Sequence, residues 1–205
     1  MKTTLFLVPM KDPSVAKTRL SGSLNTDARR KLAEALYKRT LAFLTPIARR
    51  AQADLAVVTG ASRPAEIARD LGVTTIPEPF GADLNAALQN AASFASRRGY
   101  ARICIIPADL AAPRADDLET LLHLDGDVVI CPSQDGGTNA LLVSPPSAID
   151  FQFGLGSARR HMQAGRARGL SVRQVTCDSL SFDIDTEACL NQALVAVPDL
   201  AKAVA

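Results

Sequence analysis

Charged residues gather in three short elements that could act on phosphate groups. The stretch V-P-M-K-D-P-S-V-A-K-T-R-L sets Lys11, Lys17 and Arg19 in a loop after a strand-like apolar run. Cations in such a loop can hold a triphosphate and neutralise charge as it moves onto pyrophosphate, although a solvated basic loop has the same composition. In I-I-P-A-D-L, Asp109 emerges just beyond an apolar run. One or two carboxylates placed there, with phosphate oxygens, are what magnesium takes; a cap for the following helix would use the same residue. F-D-I-D-T separates Asp183 and Asp185 by one residue, and alternation in an extended segment turns both carboxylates to one side. Asp185 could equally cap a helix starting at Thr186-Glu187, which leaves Asp183 unexplained. Three convergent aspartates would form a magnesium site.

Two glycine-containing segments suit small anions. Gly136-Gly137-Thr138-Asn139 turns into an apolar run, and Gly154-Leu155-Gly156-Ser157 leads into a basic helix with Arg159 and Arg160. Backbone N–H groups at a helix start, close approach at glycine and a serine hydroxyl can form a phosphate site; ordinary turns have the same look. His161 lies one helical turn after Ser157, as either a site residue or a structural or exposed histidine. Other chemistries lack their residues. Pro9 to Pro13 replaces the G-x-G-x-x-G of a dinucleotide-binding turn, Ala16 replaces the glycine a Walker lysine requires, and Pro9-Met10 offers no phosphorelay carboxylate. With His123 and His161 as its two histidines, the chain is short of bases for a triad hydrolase.

The elements that must position these residues read as strands alternating with helices. Continuous apolar runs at 5–10, 55–59, 73–76, 102–106, 128–131 and 140–143 suggest strands covered on both faces. Thr26 is a plausible N-cap for a helix carrying Leu32, Leu36, Phe43 and Ile47, which Pro46 should kink or end. Further helices are predicted between Pro64 and Gly72, over 85–98 and over 116–124. This rhythm predicts an α/β fold: a mainly parallel sheet flanked by helices, with ligands at the carboxyl ends of its strands. After about residue 144 come a loop, a basic helix over 158–168 and a strand over 172–176, read as an extension of the same single domain (1–205) at about 144–177.

Composition narrows the function further. A chain of 205 residues with 47% hydrophobic and 21% charged residues is globular, and a net charge of +2 is too small for a nucleic-acid coat. Seven Phe, two Tyr and no Trp leave little for base stacking along a strand. The four cysteines lack C-x-x-C spacing, which excludes a zinc knuckle and fits a reducing compartment. With no apolar run near 18 residues and no leader-like start, a cytoplasmic location is expected.

Taken in order, A-K-T-R-L (16–20), L-N-A-A-L (84–88), P-A-D-L (107–110), G-T-N-A-L (137–141), F-G-L-G-S (153–157) and D-I-D-T (183–186) resemble the guanylyltransferases of deazaflavin coenzyme (F-420) biosynthesis. That family acts on 2-phospho-L-lactate, phosphoenolpyruvate or 3-phosphoglycerate. The resemblance spans residues 8–186 and implies a nucleotidyltransferase fold of the glycosyltransferase A type, transferring GMP from GTP to a phosphorylated three-carbon acid with release of pyrophosphate. It implies that Lys17 and Arg19 serve the triphosphate, with Asp109 completing the catalytic set. Leu84 and Asn85 would lie beside the nucleotide. Asp109, Asp183 and Asp185 would hold magnesium, and Thr138, Gly154 and Ser157 would bind the phospho-acid. Asp83 stands where many relatives have Gly, and Ala111 where many have Pro.

The residues suit that chemistry. A phosphomonoester is largely ionised at neutral pH, so its attacking oxygen needs no general base, and the task is to bring two anions together. Two rivals share the features: a sugar-nucleotide-dependent glycosyltransferase, and a non-catalytic nucleotide-binding module. GTP and a small phosphorylated carboxylic acid are the expected partners, without nucleic acid or membrane; a homo-oligomer stays open, as does which acid is used.

Overall fold

In the computed structural model, which describes residues 2–182 and 184–204 and side chains from Thr4 onward, every predicted strand is present. They are β1 (Lys2–Pro9), β2 (Asp54–Thr59), β3 (Thr74–Pro77), β4 (Tyr100–Ile105), β5 (Val128–Pro132), β6 (Thr138–Val143) and β7 (Val172–Gln174). The helices are α1 (Thr26–Arg50), α2 (Ser62–Asp70), α3 (Leu84–Arg97), α4 (Ala115–His123), α5 (Ser157–Ala167), α6 (Glu187–Ala196) and α7 (Ala201–Val204). One sheet runs in the order β3-β2-β1-β4-β6-β5-β7. β6 is antiparallel to both β4 and β5, and the remaining pairings are parallel.

Successive residues of β1 feed opposite layers, as the period of two requires. Phe6 and Val8 pack with α1, α2 and α4 on one face, while Leu5 and Leu7 pack with α3 and α5 on the other. A third cluster joins Leu20, Leu32 and Leu36 to Ile184, Leu190 and Leu200, so the C-terminal helices close against α1.

Two features place the site. The sheet order reverses direction between β1 and β4, since β2 and β3 extend one way from β1 and β4 lies on its other side; ligand crevices form outside such a switch point. Because β6 is antiparallel, its first residue, Thr138, arrives at the edge where β4 ends.

Local chemistry fixes several boundaries. Asn25 rather than Thr26 caps α1, its side chain accepting from Ala28 N at 2.9 Å. Pro46 does not end α1, which continues to Arg50 with Leu44, Ile47 and Ala48 buried; their packing outweighs the hydrogen bond that proline removes. Asp83 accepts from Ala86 N at 2.8 Å and caps α3, which accounts for an acidic residue at that position.

Candidate active site

The loop after β1 is wound into two short 3-10 turns, Pro13–Val15 and Thr18–Leu20. Asp12 caps the first, and buried Leu20 anchors the second in the core. Between the turns Lys17 takes a left-handed backbone, φ 55°, uncommon for a residue with a Cβ and characteristic of functional loops. Its side chain is 5% exposed. Nζ donates to the Asp109 carboxylate and to Asp185 Oδ1 at 3.1 Å, and Arg19 Nη1 donates to Asp185 Oδ2 at 3.3 Å. Lys17, Arg19, Asp109 and Asp185 therefore form one cluster from three distant parts of the chain.

Each aspartate is released for this role by its neighbours. α4 starts at Ala115 after Arg114, so Asp109 caps nothing. Thr186 accepts from Cys189 N at 3.2 Å and caps α6, which frees Asp185. Ile184 is fully buried in the third cluster, worth about 1.5–3 kcal/mol, and alternation from it turns Asp185 outward. Asp183 lies outside the described residues.

Burial is the strongest single influence on Lys17 and favours its neutral form. The charges and hydrogen bonds of Asp109 and Asp185 together outweigh it and hold the ammonium above the ordinary lysine range. Asp109 and Asp185, 30% and 39% exposed, thus already converge on one cationic point. No group of three or more potential metal ligands occurs among the described residues. Two carboxylates nevertheless fit magnesium beside a nucleotide, because phosphate oxygens and water complete its shell.

On the far side of β4, Thr138, Ser157 and His161 form a hydrogen-bonded chain. Gln152 N donates to His161 Nε2 at 2.9 Å, so Nε2 carries no proton and Nδ1–H donates to Thr138 Oγ1 at 3.1 Å. The Thr138 and Ser157 hydroxyls share a hydrogen bond at 2.8 Å. Ser157 is itself fully buried behind Thr138. His161 is fully buried and edge-on to Phe153, with centroids 4.9 Å apart; burial foremost, then the Arg160 charge, pushes its pKa down to about 4. The glycines before α5 have φ of 128° at Gly154 and 69° at Gly156, which side chains resist. Arg160 holds this turn from behind, donating to Leu155 O at 2.6 Å and Gln152 O at 2.9 Å.

Asn85 grips the same turn. Its Oδ1 accepts from Phe153 N at 2.7 Å and its Nδ2 donates to Phe153 O at 3.4 Å, so its amide faces the glycine-turn side of the cleft. Leu84 lines both neighbouring hollows. One, about 230 Å³, includes Lys17 and Asp109; the other, about 290 Å³, includes Arg19, Thr138, Gly154 and Asp185. A further hollow, about 440 Å³, lies at the amino ends of the strands between Asp54, Arg98 and Tyr100, away from these residues. The sequence did not disclose the directing role of His161 or the looping role of Arg160. The four-residue spacing of His161 from Ser157 was the available signal, and their partner Gln152 carries none.

The description "Guanylyl transferase CofC like" belongs to a family model that matches residues 4–199. Among curated proteins, 3-phospho-D-glycerate guanylyltransferase of Colwellia psychrerythraea is 34% identical over 91% of this chain and 88% of its own. Phosphoenolpyruvate guanylyltransferase of Sphaerobacter thermophilus is 36% identical over 93% and 92%. 2-Phospho-L-lactate guanylyltransferase of Methanothermobacter thermautotrophicus is 33% identical over 94% and 84%. Among solved structures, a provisionally named nucleotide-diphospho-sugar transferase from Desulfovibrio desulfuricans G20 superposes with TM-score 0.71 at 21% identity, covering 97% of this chain and 88% of that one.

Proposed function

We propose, from the premise that this chain belongs to the CofC-like guanylyl transferase family, that it transfers GMP from GTP to a phosphorylated three-carbon acid, releasing pyrophosphate, in coenzyme biosynthesis. The observation that carries this reading is the cluster at the switch point, where Lys17 bridges Asp109 and Asp185 and Arg19 joins them. It supplies cations for a triphosphate and carboxylates for a metal within one cleft.

In the reaction, a phosphate oxygen of the acceptor attacks the α-phosphorus of GTP in line. The new P–O bond forms as the α–β bridge breaks, and its electrons leave with pyrophosphate. Lys17 and Arg19 hold the triphosphate and offset the charge gathering on the leaving group. Asp109 and Asp185, with Asp183 from the same D-I-D-T segment, would hold magnesium, which supplies further charge neutralisation when bound. Thr138 and the Gly154 turn receive the acceptor's phosphate or carboxylate, with the buried Ser157 hydroxyl hydrogen-bonded to Thr138 behind them. No side-chain base is required, because the attacking phosphate is already ionised.

A cytoplasmic location is supported by the four unpaired cysteines. None of the described helices is long and apolar enough to cross a membrane. The test is incubation of the protein with GTP, magnesium and, separately, 2-phospholactate, phosphoenolpyruvate and 3-phosphoglycerate, with pyrophosphate release and product mass as readouts. A guanylylated product with one acid is expected. Turnover of a nucleotide sugar with none of these acids accepted would establish the glycosyltransferase alternative, and GTP binding without turnover the non-catalytic one.

A further inference from the structure

Beyond the cluster of Lys17, Asp109 and Asp185, the cleft continues toward the outer strands. At the ends of β2 and β3 lies a hollow of about 460 Å³ whose lining includes Lys11, Gly60, Glu78, Phe80 and Gly81. Lys11 also lines the hollow holding Lys17 and Asp109, so the two are neighbours along the cleft. The glycine-turn pocket lies on the other side of that cluster, bounded by Arg19 and Asp185.

Two features of the outer hollow are unexplained by the fold. Glu78 is half-buried, and no side chain among the described residues hydrogen-bonds to it or forms an ion pair with it. The Gly60 backbone N–H and the charge of Lys11 both favour its ionised form from nearby. Gly60 permits this approach, since a Cβ there would stand 3.3 Å from Glu78 Oε2. Burial raises the Glu78 carboxyl above its usual range, the mark of an acceptor desolvated without full compensation. The second feature is Phe80, a fully exposed aromatic on the rim of the same hollow, offering a flat face to a planar ligand.

We propose that Glu78 reads the guanine of the donor nucleotide, its carboxylate accepting from N1–H and from the 2-amino group while Phe80 stacks on the ring. The proposal rests on the guanylyl-transfer reading. A carboxylate retains lone pairs for two such donors after accepting from Gly60. Adenine presents an acceptor at N1 and no amino group at C2, so it would leave Glu78 unpaired. Hypoxanthine lacks the 2-amino donor, and xanthine carries an oxygen in its place. A nucleotide with its base here would run its phosphates past Lys11 toward Lys17 and Arg19, placing the α-phosphorus between base and acceptor pockets.

The experiment compares GTP, ITP, XTP and ATP as donors, with magnesium and the acceptor preferred by the wild-type enzyme. Wild type is expected to favour GTP over ITP by about tenfold or more, as for bidentate recognition of a base edge. Glu78→Gln keeps shape but presents an amide N–H to C2, so its preference should turn from GTP toward XTP. Phe80→Ala should raise KM for all donors by a similar factor, because stacking ignores the edge substituents. An unchanged GTP:ITP:XTP ratio in Glu78→Gln, with wild type active on GTP, would overturn the assignment of Glu78 alone. Wild type inactive with GTP and every acid would overturn the guanylyl-transfer reading, and this inference with it.

Discussion

The direction of the Gln152–His161–Thr138 hydrogen bonds depends on a neutral imidazole, and titration of that ring offers a quantitative test. His161 has a pKa of about 4 in the folded chain against an ordinary value of 6.5. Between these values the unfolded chain holds the extra proton, so the contribution to stability is fully present above 6.5 and is lost as pH falls toward 4. Integrating the difference from pH 7.5 to 5 gives a loss of about 2 kcal/mol from this one ring. His161→Gln removes the titration while keeping an oxygen for Gln152 N–H and an N–H for Thr138. Urea unfolding of both proteins at the two pH values yields a double difference in which carboxylates distant from the ring cancel. The variant should lose about 2 kcal/mol less than wild type over that interval. Equal losses in the two proteins would refute the buried neutral state of His161 and, with it, the donation of its Nδ1–H to Thr138.

Asp109→Asn should lower turnover by about a hundredfold or more, equivalent to about 2.7 kcal/mol, with little change in the urea midpoint; activity within about threefold of wild type would remove Asp109 from the catalytic cluster. Asn85→Ala breaks both bonds to Phe153, so KM for the acceptor should rise about tenfold while KM for GTP holds; steady-state kinetics showing the reverse would return Asn85 to the nucleotide side. Gly165→Ala would set a Cβ 2.6 Å from Val172 Cγ2 where α5 packs on the sheet, so unfolding should cost about 1–3 kcal/mol less; an unchanged urea midpoint would contradict that close approach.

The sheet was legible because buried strands read as continuous apolar runs, and β1 to β6 fall where such runs stand, whereas the edge strand β7 is Val-Arg-Gln with Arg173 and Gln174 exposed. The reversed direction of β6 was not, since an apolar run such as Ala140–Val143 looks the same whichever way it points. Lys17, Arg19 and Asp109 could be named from residue type and position after strands, and Asp185 from its alternate spacing with Asp183. Their grouping around one ammonium depends on the left-handed backbone of Lys17 and the anchoring of Ile184, neither of which has a one-residue signature. Asn85 shows the limit most plainly. The family resemblance places it beside the nucleotide, while its amide is directed to the backbone of Phe153, 68 positions away, which no local sequence signal announces.

The course of β6 also bears on how this scaffold can change its preferences. Because that strand runs against its neighbours, the Thr138 end, the glycine turn and the start of α5 reach the cleft from one contiguous stretch, 133–161, while the phosphate-handling loop and the outer hollow come from residues before 110. On the proposed assignment, selection for a different small acid can therefore rewrite one segment and leave the donor half intact, with Asn85 tying the two across the seam beside the β4–β6 pairing. The three relatives, whose names share a guanylyl donor and differ in the acid, are the natural sources for exchanging that segment, and a chimera retaining Asn85 should carry acceptor preference across while preserving the nucleotide's.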